Sequence, residues 1–142
     1  MTAELPREGA RGLADHPNVE VVRGALEAFG RGDVDGRVGS MSDGVVFHAP
    51  GTGRFSGRFE GKDAVRDRLE RMREAGIELS VDIHDVVGND EHVVALVHVH
   101  ARNAAGQRYD QEQVQVSHMR DGLVEEFWIM NQDQAVLDLL LG

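Results

Sequence analysis

At Gly76 the hydrophobic period of this chain changes from helical to two, and that switch limits what it can fold into. Beyond it, Ile77, Leu79, Val81 and Ile83 alternate with Glu78, Ser80, Asp82 and His84, the pattern of a half-buried strand. Gly88-Asn89-Asp90 has hairpin chemistry. A second strand, HVVALVHVHA, follows from His92 to Ala101, and Asn103 to Gly106 turns the chain again. Gln107 to Met119 reads as a long third strand, and Arg120-Asp121-Gly122 leads into a fourth, Leu123 to Asn131. Asp133 then starts a short helix through Val136, Leu137 and Leu140.

Before Gly76 the pattern is mostly helical. Pro17 and Asn18 introduce a helix, with Asn18 placed to cap it and Val19, Val22, Leu26 and Phe29 on one face. Asp33 can cap a shorter helix with Val34, Val38 and Met41 inward, although Gly36 and Gly39 work against it. Ser42-Asp43-Gly44 reads as a turn. Val45, Val46 and Phe47 form a short buried strand that His48, Ala49 and Pro50 end, since proline has no N–H for a ladder. A glycine-rich crossover carrying Phe55 and Phe59 leads to a helix with Val65, Leu69 and Met72 on its apolar stripe. The polar stretch 1–16 reads as a flexible tail, and 17–142 as one domain. Helices first and hairpin-linked strands after give an α+β fold with a curved antiparallel sheet.

Composition narrows the function. The 142 residues suffice for one real core. With no cysteine there is no disulfide framework or thiolate metal site, and a reducing, cytoplasmic setting is expected. No apolar run approaches the ~20 residues that span a bilayer. The net charge of −10, with Lys62 the single lysine, argues against nucleic acid as a partner. Gly51, Gly53 and Gly57 lack the Gly-Lys-Ser/Thr of a phosphate loop and the spacing of a dinucleotide fingerprint.

Four stretches carry a resemblance: LEAFGRGDVDG, VVFHAPGTGRFSGRFEGKDAV, HDVVGNDEHVVALVHV, and RDGLVEEFW with DQAVLD. In this order, from Pro17 to Gly142, the chain resembles the nuclear transport factor 2-like superfamily, most closely its SnoaL-like branch of polyketide-cyclase-like and ketosteroid-isomerase-like proteins. The resemblance implies a cone-shaped sheet, an α+β barrel, with helices closing a central apolar cavity, usually in a homodimer. It is weak on reaction type, because one fold hosts many chemistries. Ketosteroid isomerases of this fold keep a general-base Asp directly before the proline of the first strand, where this chain has Ala49; their oxyanion-hole Tyr and Asp fall near Ala25 and Gln115. Epoxide hydrolases of the fold use an Asp-Arg-Asp set whose strand positions fall at His98 and His100. Neither set is present.

His98 and His100, two apart on a strand, share a face, and the register implied by the resemblance turns that face toward the cavity. Neutral imidazole is an acid-base candidate near neutral pH. The same pair also fits a hydrogen-bonded wet wall or a dimer face. It could share a metal with Asp82 or His84, but His-x-His alone is too common a spacing to assign one, and no metal or cofactor is expected. Tyr109, Gln113, Gln115, Ser117 and Asn131 are candidate polar lining, although the alternation of glutamines also fits a sheet facing water. Phe47, Leu96, Phe127 and Ile129 are candidate apolar walls. His48 alternates away from the cavity. Asp133 is a second catalytic candidate by the resemblance and, by its position, a helix cap. Trp128 and Met130, opposite Phe127, suit a dimer contact or a core role. Two readings follow: an isomerase, cyclase or hydrolase acting on an apolar carbonyl- or epoxide-bearing metabolite, polyketide or terpenoid-like, or a non-catalytic ligand-binding or dimerisation domain.

Overall fold

The computed structural model describes residues 16–142; apart from His16, the expected N-terminal tail lies outside them. The elements in order are α1 (Pro17–Gly30), α2 (Val34–Gly39), β1 (Met41–Ala49), β2 (Gly57–Glu60), α3 (Lys62–Glu74), β3 (Glu78–Gly88), β4 (His92–Arg102), β5 (Arg108–Arg120), β6 (Leu123–Asn131) and α4 (Gln134–Leu141). The strands form one curved six-stranded sheet in the order β2-β1-β6-β5-β4-β3, open at β2 and β3 rather than closed. Every neighbouring pair is antiparallel except β1 and β6, which run parallel because the chain crosses the sheet through three hairpin-linked strands before returning.

The expected α+β order stands, with two local differences. His16 caps α1 in place of Asn18: its Nδ1 accepts from the Asn18 N–H at 3.1 Å, with Pro17 in the first turn. The Asn18 side chain instead donates to the Asn89 and Asp90 carbonyls, both at 3.1 Å, pinning α1 to the β3-β4 hairpin. Ser42-Asp43-Gly44 is no turn but the irregular part of a nine-residue β1, where the register with β6 slips between Met41 and Val46. The short α2 forms despite its glycines, because the Asp33 side chain accepts from the Gly36 N–H at 2.9 Å and fills the space a Cβ would need.

Further register shifts between Ile83 and Asp85 and between His118 and Met119 bend the sheet. Its inner face carries Phe47, Val93, Ala95, Val97, Val99 and Phe127, all buried. Helices α1, α3 and α4 supply Val22, Leu26, Val65, Met72, Leu137 and Leu140 to the same core. The outer face carries Leu96, Val114, Val116, Trp128 and Met130, together with most of the histidines. Among the described residues no helix is long and apolar enough to cross a membrane.

Candidate functional site

Between the inner sheet face and the helices lies a cavity of about 90 Å³, measured as the room open to the centre of a water-sized sphere. One water needs ~10–15 Å³ on that measure, so the space suits a small organic molecule. Its apolar walls are Leu26 and Phe29 from α1, Phe47 from β1, Val65, Leu69 and Met72 from α3, Leu79, Val81 and Val99 from β3 and β4, Phe127 and Ile129 from β6, and Leu137 and Leu141 from α4. Pro50, Phe55 and Ser56 of the glycine-rich crossover complete it.

The polar lining is Arg37, Arg68, Gln113, Gln115, Asn131 and Gln134. Five of these form a head-to-tail chain. Arg37 Nη2 donates to Gln115 Oε1 at 3.3 Å, Gln115 Nε2 to Gln113 Oε1 at 2.8 Å, and Gln113 Nε2 to Asn131 Oδ1 at 2.8 Å. Asn131 Nδ2 donates to Gln134 Oε1 at 2.8 Å, and Gln134 Nε2 to Asp138 Oδ1 at 2.9 Å. A guanidinium can only donate and a carboxylate only accepts, so the two ends fix which way every amide between them points. Each of Gln113, Gln115 and Asn131 spends one N–H on its neighbour, leaving the second for a guest.

Arg37 and Arg68 are the charged groups of the lining. Arg37 is 9% exposed, and its guanidinium carbon sits 5.1 Å from the Phe127 ring centroid. Arg68 lies 5.0 Å from the Phe47 centroid and donates from Nε to the Phe55 carbonyl at 2.8 Å. Phe47 and Phe127 are register partners on β1 and β6 and stack at 4.3 Å, so one guanidinium rests on each ring of the pair. Among the described residues neither arginine has a carboxylate within ion-pair distance, and no Asp or Glu lines the cavity. Burial pulls Arg37 down to about 10, and burial with the neighbouring Arg71 does the same to Arg68. Both stay cationic at neutral pH. For Arg37 the loss of hydration behind that shift is worth roughly 3 kcal/mol.

The candidate residues read from the sequence separate into four groups. Phe47, Gln113, Gln115, Phe127 and Asn131 line the cavity. Tyr109 and Ser117 are buried on the inner face of β5 but outside the lining, and burial raises the Tyr109 pKa. His98, His100 and Leu96 are on the opposite face, which corrects their expected orientation toward the cavity. The alternation along β4 buries Val93, Ala95, Val97 and Val99, so the even positions point out. There His98 Nδ1 lies 2.7 Å from Glu112 Oε1, and His100 is held between Asp110 and, at 2.8 Å, Asp82. His98, His100 and Asp110 are close enough to share an ion, at a partly exposed position. Asp133 is exposed and caps α4, accepting from the Val136 N–H at 3.1 Å. His48 faces outward as expected, stacked on Trp128 with Nε2 2.5 Å from Glu126 Oε2.

The residues that sequence reasoning missed are Arg37 and Arg68. The signal was present: Val34, Arg37, Val38 and Met41 follow i, i+3, i+4, i+7, and so do Val65, Arg68, Leu69 and Met72. Each arginine interrupts an apolar stripe and points where the stripe points.

A helix-backed open sheet around one mostly apolar cavity defines the class of nuclear transport factor 2-like domains. Within it, the chain belongs to the SnoaL-like domain family, whose model matches residues 22–127. An NTF2-like protein of unknown function from Burkholderia pseudomallei is 22% identical with a TM-score of 0.80, over 88% of this chain and 97% of that one. TerC co-crystallised with polyporic acid is 18% identical with a TM-score of 0.79, over 88% and 98% of the two chains. An LEH-like epoxide hydrolase from M. tuberculosis is 19% identical with a TM-score of 0.69, over 86% and 85%. These likenesses concern the fold. No curated protein matches the chain.

Proposed function

We propose that this protein binds a small, largely apolar molecule in the cavity, gripping an oxygen-bearing end against the amide chain of Gln113, Gln115 and Asn131. The observation that carries the reading is the lining itself: apolar walls on nearly every side and one converging strip of N–H donors. That TerC was co-crystallised with polyporic acid is consistent with such a use of the fold.

Between this reading and a proton-transferring isomerase, cyclase or hydrolase, the lining favours binding. Guanidinium and amide groups neither take up nor release protons near neutral pH, and among the described residues no imidazole or carboxylate lines the cavity. His98 and His100 would act, if at all, on the outer face. We further propose a homodimer through that face, where Trp128, Met130, Val116 and His48 border an apolar groove.

Ile129→Trp tests the binding reading by filling the cavity. Native mass spectrometry of protein purified without added ligand, and thermal shifts over an aromatic ligand panel, should show saturable binding to the wild-type chain and none to the variant. Equal binding by both would exclude this cavity.

A further inference from the structure

We infer that the cavity selects an anion: an apolar molecule ending in a carboxylate, enolate or phenolate, whose charge lies against Arg37 and Arg68. The inference rests on the binding reading and names its ligand class.

Three observations support it. First, both guanidiniums line a cavity that contains no carboxylate, and no described acid pairs with either one. Arg66, two residues before Arg68 on the same helix, pairs with Asp35 instead. Burying an unpaired charge is costly, so an anionic guest is the group that offsets it. Second, the arrangement runs against the whole chain, which carries a net charge of −10. Acidic groups dominate overall, yet inside the cavity the sign is positive. Third, a strut would not need the charge. Arg37 makes one protein hydrogen bond, to Gln115, and Arg68 one, to the Phe55 carbonyl. Among the described residues the remaining N–H groups of both have no protein acceptor. A fork of donors suits a charged oxygen with several lone pairs, or the two oxygens of a carboxylate, and a neutral ketone or epoxide offers no charge to it. The stacked pair Phe47 and Phe127 puts one ring beneath each guanidinium, its carbon 5.1 Å from the Phe127 centroid and 5.0 Å from that of Phe47.

The sign of a pKa shift tests this without a mutation. 4-Nitrophenol is coloured only as its phenolate. An apolar pocket alone would raise its pKa on binding, because desolvation disfavours the ion, whereas a cationic pocket lowers it. Titrating the probe with and without saturating full-length protein should move its midpoint down by about one unit or more. Arg37→Gln, which keeps a donor for Gln115, and Arg68→Gln should each move the midpoint back up, and Arg37→Lys should restore part of the shift. As a second measurement, 2-naphthoate should bind at least tenfold more tightly than 2-naphthamide to the wild-type chain, which needs no variant to fold. Saturable binding with an unshifted or raised midpoint, or with naphthoate and naphthamide bound alike, overturns the anion inference and leaves the binding reading standing. No saturable binding of any of these probes, or binding that survives Ile129→Trp, overturns both.

Discussion

Gln113 occupies the middle of a chain of side chains in which each amide has only one orientation available. It gives an N–H to Asn131 and takes one from Gln115, both at 2.8 Å, while 8% exposed. Replacing it by leucine leaves the buried Gln115 and the half-buried Asn131 each short of a partner. Gln113→Leu should therefore cost about 2–4 kcal/mol in urea unfolding, more than a typical single hydrogen bond. The outer face poses a different residue-scale question. His100 has its pKa raised above the ordinary 6.5, first by its hydrogen bond to Asp110 and then by that to Asp82. A group that holds its proton more tightly when folded adds stability that is complete below the unfolded value of 6.5. That stability is lost as pH rises through the higher folded value. In an NMR titration, His100 should titrate above 6.5, and Asp110→Asn should bring it down. An unchanged midpoint in that variant would show that the ion pair does not form in solution.

The element that closes the cavity is α4. It is tied down by polar contacts to the glycine-rich crossover rather than by burial alone. Asp138 accepts from the Thr52 N–H at 3.2 Å, Gln134 reaches the Pro50 carbonyl at 3.4 Å, and Arg54 Nε donates to the Leu141 carbonyl at 3.1 Å. The close approach depends on Gly51, whose φ is +101° and whose added Cβ would come within 2.2 Å of Asp138 Oδ1. Gly51→Ala should cost about 1–3 kcal/mol, from an unfavourable backbone angle and a displaced carboxylate. Hydrogen exchange should show the loss concentrated in α4 and the crossover. Uniform acceleration over the whole sheet would instead mean that α4 is not a separately held lid.

On the scale of the whole molecule, the sheet divides two kinds of surface. The inner face is core and cavity. The outer face leaves Met130 48% and Leu96 38% exposed, beside the groove at Trp128. A second copy of the chain would cover that stripe, and wild-type protein should sediment as a dimer at micromolar concentration. Met130→Asp should return it to a monomer without disturbing the cavity, because the two lie on opposite faces. A wild-type monomer at high micromolar concentration would remove the dimer reading and leave the anion pocket untouched.

What the sequence determined by itself was the local order. The change of period at Gly76, the turn residues between strands and the apolar stripes of α1 and α3 are properties of neighbouring residues, legible without coordinates. Phe47, Phe127, Gln113, Gln115 and Asn131 became cavity candidates through the register that the family resemblance implies, since alternation only sorts the residues of a strand into two faces. Tertiary structure decided which face was which. A strand alternates equally well in either register, and a shift of one residue exchanges its faces. Only the pairing of β4 with β3 and β5 turned His98 and His100 outward and Val97 and Val99 inward. The same holds for the two arginines. Their stripe positions were present in the sequence, but whether each would meet a carboxylate depended on groups distant along the chain. Packing α2 and α3 over Phe127 and Phe47 left both without one among the described residues, because charge compensation is a property of what surrounds a side chain in space.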